Sequence, residues 1–208
     1  ALLLTEEMQE KVGNELYLSF RFHEASQRLI RFCSEDLGAF YLDILKDRLY
    51  TMGTDSHGRR SAQTALYHIA HAFILLISPI LAFTADEAWK VLRRDQKDNV
   101  LFHERYRFPE GETQKEQLVK KWANIRQVRQ EVIKALEPLR KDGVIGSSLE
   151  AAVIIEAEKE DLKNLQSLHD ELRFVLLVSS AQVKEGEALK IQVQKVETPK
   201  CERCWHHS

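Results

Sequence analysis

The sequence predicts a mainly α-helical fold, in which an antiparallel helical bundle is followed by a small α+β unit. Apolar side chains recur at helical spacing over most of residues 1–95 and again over 114–140. From about residue 149 onward, β-branched runs and apolar–polar alternation replace that spacing. With 208 residues, 44% of them hydrophobic and only eight Gly and four Pro, the chain can bury a sizeable core and is not a low-complexity sequence.

Four helices are predicted in the first part of the chain. They cover 5–33, 37–50, 61–77 and 84–94. Thr5 can cap the first helix, and Ser34, followed by two acidic residues, resembles a second cap. Thr84 and Glu87 have the spacing of a capping box, and the glycines and small polar residues of 51–60 predict a loop. We therefore expect an antiparallel bundle.

The second part of the chain changes in pattern. After a polar connector over 95–112, a long helix is predicted over 114–140 and ends near Pro138 and Gly143. A β-branched segment at 149–157, a helix at 159–171, a buried strand at 173–183 and an exposed edge strand at 189–197 should follow. The predicted domains are 1–112 for the bundle, 113–198 for the long helix and α+β unit, and 199–208 for a terminal stub.

Composition excludes several classes of protein. Lys and Arg number 30 against 32 Asp and Glu, so nucleic acid could bind only at a local basic patch. The apolar stretch 70–83 contains His71, Ser78 and Pro79, which predicts a core helix and no membrane span. Three cysteines favour a reducing compartment, and we expect a cytoplasmic protein. The sequence contains no glycine-rich phosphate loop and no catalytic triad at a telling spacing, so these motifs assign no reaction to it.

Cys201 and Cys204 form the strongest chemical motif. Two thiolates at Cys-x-x-Cys spacing can hold one Zn²⁺ from a tight turn, but a structural site needs four ligands. We expect a zinc ribbon whose second cysteine pair lies beyond Ser208, in a longer protein of which this chain is a piece. The alternative is a metal-free tail. His68 and His71, three residues apart on an apolar helix, are interpreted as core or boundary histidines.

Basic and aromatic residues supply the candidate nucleic-acid site. The candidates for phosphate contact are Lys120, Lys121, Arg126, Arg140 and Lys141 on the long helix, with Arg59 and Arg60 in a loop. Trp205 could stack on an unpaired base or pack over the zinc. Arg129 falls inside the apolar arc of the long helix, where a guanidinium must reach the surface or find a partner. The alternative is an ordinary solvated helix face, with acidic residues balancing the charge.

Several segments together resemble bacterial isoleucyl-tRNA synthetase, in the order of that family. The segments are Phe22-His-Glu-Ala25, Phe32-Cys-Ser-Glu-Asp-Leu37, Phe40-Tyr-Leu-Asp-Ile-Leu-Lys-Asp-Arg-Leu-Tyr50, Leu76-Ile-Ser-Pro-Ile-Leu-Ala-Phe-Thr-Ala-Asp-Glu-Ala-Trp89, Ile145-Gly-Ser-Ser-Leu-Glu-Ala151, Asp170-Glu-Leu-Arg-Phe174 and Lys200-Cys-Glu-Arg-Cys-Trp-His206. The first three resemble its anticodon-binding region and the last resembles the first half of its zinc ribbon. The second cysteine pair of that ribbon is missing from this chain.

The resemblance implies a C-terminal, tRNA-binding part of a class I isoleucine–tRNA ligase. It implies that this chain binds the anticodon arm of isoleucine tRNA. Catalytic and editing domains in other parts of the longer protein would act on ATP and amino acid. No catalytic residue is expected here, ATP is not bound here, and zinc would have half a site at Cys201 and Cys204. We expect a monomer without membrane contact. The alternatives are a valyl-type synthetase fragment and a helical protein-interaction scaffold that does not bind RNA.

Overall fold

The computed structural model describes residues 1–94, 99–103, 105–109 and 114–207. The chain divides into two compact units, Ala1–Thr113 and Gln114–Ser208, called here the N-terminal and C-terminal units. Helices dominate the first unit, and a three-stranded sheet lies in the second, which confirms the predicted fold class. The three-part division into domains stays a prediction, and part of the predicted connector 95–112 lies outside the described residues.

The N-terminal unit is built from five α-helices with π-helical continuations. They are α1 (Leu2–Gln9, continued as a π-helix over Glu10–Leu16), α2 (Phe22–Arg31, continued as a π-helix over Phe32–Leu42), α3 (Asp43–Tyr50), α4 (His57–Ile77) and α5 (Ala82–Leu92), followed by a 3₁₀ turn at Val100–Phe102. Met8, Val12, Leu29 and Phe32 share one buried cluster with Ile69 of α4. α1, α2, their π-helical continuations and α4 therefore pack around a common apolar interior.

The first break in the bundle lies elsewhere than predicted. The helix expected over 5–33 ends after Leu16, and Phe20 takes a left-handed φ of 57° in the turn before α2. The amide of Arg21 donates to the carbonyl of Leu16 at 2.8 Å and closes this turn. Ser34 caps nothing, because its hydroxyl donates to the carbonyl of Ile30 at 3.0 Å and the helix runs through it to Tyr50.

The starts of α4 and α5 also differ from prediction. Ser56 is the cap of α4, with its side chain accepting a hydrogen bond from the amide of Arg59, so the helix begins four residues before 61. The capping box predicted at Thr84 and Glu87 is wrong. α5 already begins at Ala82 and has no side-chain cap, so Thr84 lies inside the helix.

The C-terminal unit joins one long helix to a small sheet. Its elements are α6 (Lys115–Lys141), a 3₁₀ turn (Ser148–Glu150), β1 (Ala151–Ala157), α7 (Lys159–Gln166), a 3₁₀ turn (His169–Glu171), α8 (Leu172–Leu176), β2 (Ser180–Glu185) and β3 (Lys190–Lys195). The strand order is β2-β1-β3, with β1 parallel to β2 and antiparallel to β3. Alternate residues of β1 are buried, and Val153 pairs with Ala181 on one side and Val193 on the other.

One predicted strand is partly a helix. Residues 173–183 were expected to form a buried strand, but Leu172, Val175 and Leu176 bury one face of the short helix α8. Leu177 then ends that helix at a left-handed φ of 57°, and the strand begins at Ser180, at an edge of the sheet. The edge strand predicted over 189–197 is confirmed as β3.

Within residues 1–94, 99–103, 105–109 and 114–207, no helix combines the length and the apolar character that a membrane crossing requires.

Candidate functional site

The predicted phosphate-contact residues of α6 lie at different points along that helix. Lys120 and Lys121 occupy its early turns, and Arg140 and Lys141 end it. At 1.5 Å per residue, Lys120 and Arg140 are about 30 Å apart along the axis. Lys120, Arg140 and Lys141 are exposed, whereas Lys121 and Arg126 are half-buried. The five side chains therefore form no single cluster, and their role stays a prediction of contacts spread along a helix.

Ion pairs on α6 are those of a solvated helix. Arg140 lies 3.7 Å from Glu137, and Lys134 lies 2.7 Å from Glu131. Exposed pairs of this kind contribute little to stability. Arg129 is 6% exposed and shares the buried arc with Val132, as its position in the sequence pattern indicated.

The prediction of a loop around Arg59 and Arg60 is wrong, because both residues lie in the first turn of α4, where their surroundings differ. The guanidinium of Arg59 donates to the carbonyl of Met52 at 3.1 Å, which ties this side chain to the end of α3. Arg60 is exposed in the first turn of α4. In the C-terminal unit, Trp205 is 60% exposed, and the ammonium of Lys200 lies 5.0 Å from its ring centroid. Trp205 therefore offers a ring face to a ligand, although a cation already lies over this ring.

Cys201 and Cys204 lie in a tight turn. The amide of Trp205 donates to the carbonyl of Cys201 at 2.9 Å, and the amide of Cys201 donates to the carbonyl of His206 at 2.8 Å. Three hydrogen-bond donors lower the pKa of the Cys201 thiol. In order of effect they are the backbone amide of Cys204, the backbone amide of Arg203 and the thiol of Cys204. Such amide donors stabilise a thiolate, the form that binds metal.

This turn fits half of a structural zinc site. The turn contains two half-buried thiols, whereas a closed tetrahedral zinc site has four ligands. His206 is 2% exposed, with its ring packed edge-on against Phe174 at 5.2 Å between centroids. In the part of the chain that the structure describes, no group of three or more His, Cys, Asp and Glu side chains could hold a metal ion.

A cluster of rings in the N-terminal unit was not predicted as a site. The His71 ring lies 4.4 Å from Tyr106 and 4.8 Å from Trp89, and the Trp89 ring lies 4.4 Å from His103. The Tyr106 hydroxyl also hydrogen-bonds to Nδ1 of His68. His71 is buried and His68 is half-buried, so their interpretation as core or boundary histidines is confirmed.

Cations surround this ring cluster. The Arg93 guanidinium lies 5.6 Å from the Trp89 ring centroid. Burial, followed by the charges of Arg93, His103 and His68, lowers the pKa of His71 to about 4. The sequence signal was present in the alternation of Arg105 and Arg107 with two aromatic residues, but it lies in a segment interpreted simply as a polar connector.

Comparison with known proteins gives a consistent result. A family model described as the anticodon-binding domain of tRNA ligase matches residues 2–155. Isoleucine–tRNA ligase of Neisseria meningitidis serogroup A is 51% identical over 100% of this chain, and that of Chromobacterium violaceum is 50% identical over 100% of it. The corresponding ligase of Bordetella avium is 49% identical over 99% of the chain. In each case the chain covers 22% of the relative, so it spans about a fifth of the length of these proteins.

Proposed function

Since the chain belongs to the family of anticodon-binding domains of tRNA ligases, we propose that it holds the anticodon arm of isoleucine tRNA. The observation that carries the proposal is the family match over residues 2–155. ATP-dependent aminoacylation and the removal of mischarged amino acid would take place in catalytic and editing domains of the same longer chain. The whole protein would act as a cytoplasmic monomer.

The chemistry of the exposed side chains supports this role. Lys and Arg side chains neutralise phosphates of the anticodon stem, while exposed rings such as Trp205 stack on splayed loop bases. The reacting 3′ end of a tRNA lies far from its anticodon. Holding the anticodon arm therefore orients the whole tRNA, so that its 3′ end reaches a distant catalytic domain at a lower entropic cost.

The two alternatives gain no support from the comparisons. The relatives described above are isoleucine–tRNA ligases, not valyl enzymes. A protein-interaction scaffold without RNA is likewise not what the anticodon-binding family match indicates.

The proposal predicts salt-dependent binding of isoleucine tRNA through α6. Replacing Lys120 or Lys141 by glutamine should weaken binding several-fold, because each variant loses one phosphate contact. The decrease of log K with log[salt] should also become shallower, its slope falling in magnitude by about 0.7–0.9. Filter binding across a salt series measures both quantities. The matched control is Lys134→Gln on the same helix, where the lysine is exposed and already pairs with Glu131 at 2.7 Å.

Two outcomes would count against this reading. If Lys120→Gln and Lys141→Gln bind as Lys134→Gln does, the ends of α6 do not contact RNA. If a tRNA with an altered anticodon binds the unmodified chain equally well, anticodon reading is not its task, even where phosphate contacts are real.

We further propose that Cys201 and Cys204 supply two of the four ligands of a structural zinc in the longer protein. In that longer protein, replacing Cys201 by serine should then abolish most zinc uptake, since a hydroxyl is a poor substitute for a thiolate ligand. Titration against a chromophoric zinc chelator measures the uptake. Cys33→Ser is the matched control, because Cys33 is an exposed thiol on a helix of the N-terminal unit. Equal zinc uptake by the two variants would contradict the proposed ligand role.

A further inference from the structure

A cleft in the N-terminal unit opens beside the ring cluster described above. We call it the Tyr106 cleft; it is lined by His71, Leu75, His103, Arg105, Tyr106 and Arg107. Its volume is about 290 Å³, roughly ten times the ~30 Å³ that one water occupies in the liquid. A tetrahedral phosphate group with its ester oxygens and several waters would fit there.

The titratable side chains of the cleft favour an anion. Among the described residues that line it, apart from the Tyr106 hydroxyl, which is engaged with His68, they are two imidazoles and two guanidiniums. Glu10 pairs with Arg105 and offsets one of the two guanidinium charges. Arg107 is exposed and makes no ion pair with another described residue. Arg107 therefore brings to the cleft a positive charge that no described carboxylate offsets.

A buried imidazole nitrogen without a hydrogen-bond partner among the described residues lies at the same place. His71 is 7% exposed, and its Nδ1 has no hydrogen-bond partner in the described part of the protein. Buried polar atoms nearly always have a partner, so this nitrogen requires a ligand oxygen or a water. A neutral imidazole can carry its proton on Nδ1 and donate to an anionic oxygen without itself becoming charged.

The cleft wall is held in position before any ligand arrives. Gln9, which is 2% exposed, donates from its amide nitrogen to the carbonyl of Tyr106 at 2.9 Å and accepts from the amide of Tyr106 at 3.2 Å. The Tyr106 ring also packs against His71 and, at 5.1 Å, against Phe108. The backbone that carries Arg105 and Arg107 is thereby held on either side of an anchored residue, so little backbone entropy is lost when their side chains bind.

From this geometry we propose that the Tyr106 cleft is a phosphate-binding subsite, occupied by a backbone phosphate of the bound RNA. The proposal rests on the function proposed above. It adds a phosphate contact at residues that were not among the predicted phosphate-contact residues. A guanidinium matches the oxygens of a phosphate with two parallel hydrogen bonds, which favours phosphate over a smaller anion. Free phosphate offers the same chemistry, so the test separates the two sources.

The first arm of the test uses isoleucine tRNA and the 208-residue chain. Arg107→Gln should weaken binding about threefold to tenfold and reduce the magnitude of the slope of log K against log[salt] by about 0.7–0.9. The affinity of Arg107→Lys should lie between those of this variant and the unmodified chain. The matched control is Arg31→Gln, which removes the same charge from an exposed arginine of the same unit, paired with Glu35 at 3.5 Å. Equal affinity and slope for Arg107→Gln and Arg31→Gln would overturn the RNA subsite.

The second arm uses inorganic phosphate alone. Its addition should move the imidazole proton resonances of His71 and His103 along a saturable curve, and Arg107→Gln should weaken that binding while Arg31→Gln should not. If phosphate binds and tRNA does not, the occupant is a free phosphate, and both the RNA assignment and the proposed function fail. If tRNA binds the unmodified chain but neither arm responds to Arg107→Gln, the subsite fails while the proposed function stands.

Discussion

Replacing Trp89 by alanine is expected to lower the free energy of unfolding of the N-terminal unit by about 3–5 kcal/mol. Trp89 is 0% exposed and shares a buried cluster with Ile74, Ala85 and Val100. Its ring also lies between His71 and His103. The truncation removes the contacts of α4, α5 and the segment after α5 at once, and the three elements cannot all collapse into the space left behind.

Urea denaturation, with hydrogen exchange in α4 and α5 as the local readout, measures this loss. Trp89→Phe should cost clearly less, because a ring still fills part of the space. Trp205→Ala is the matched control, since Trp205 is 60% exposed and its truncation should change stability by no more than about 0.5 kcal/mol. A loss below 1 kcal/mol for Trp89→Ala would show that the ring cluster is not a structural centre.

Replacing Gln9 by methionine is expected to cost about 2–4 kcal/mol, although the two side chains are similar in volume. Gln9 makes two hydrogen bonds to the backbone of Tyr106, 97 residues away, and methionine offers no replacement for either. The carbonyl and amide of Tyr106 would then lose their partners at the edge of the core. Since this anchor also positions Arg105 and Arg107, tRNA affinity should fall together with stability.

Hydrogen exchange at the Tyr106 amide gives the local readout, and it should become much faster in Gln9→Met. Gln27→Met serves as the control, because Gln27 is exposed on α2. Should exchange at Tyr106 stay as slow as in the unmodified chain, some other contact anchors the segment. The structural argument for a fixed Tyr106 cleft would then be lost.

Helical periodicity and β-branched runs were sufficient to predict the architecture, but not the ends of the elements. Ser34 looks like a cap, yet its hydroxyl has a carbonyl partner one turn back, so the helix continues. The turn that does occur depends on Phe20 in a left-handed conformation, which local preference disfavours for a phenylalanine. The apolar run 174–178 suits a helix or a strand equally well, and tertiary packing selected the helix α8.

Less of the candidate site than of the fold could be predicted from the sequence. Only two residues separate Cys201 from Cys204, so spacing alone predicts their proximity in the observed turn. The Tyr106 cleft brings His71 of α4 next to residues 103–107, a relation that no local pattern contains. Gln9 is the clearest example, since a glutamine in an ordinary helical stretch gives no sign that its partner lies in a different segment.

The strand order β2-β1-β3 leaves two outer strands in the described sheet. Unprotected strand edges invite another chain to add on, which is a common start of aggregation. Here β2 carries Lys184 and Glu185, and β3 begins and ends with Lys190 and Lys195, all of them exposed. An antiparallel pairing of β3 with a second copy of itself would bring Lys190 and Lys195 of the two copies together, so like-charge repulsion opposes growth of the sheet at this edge.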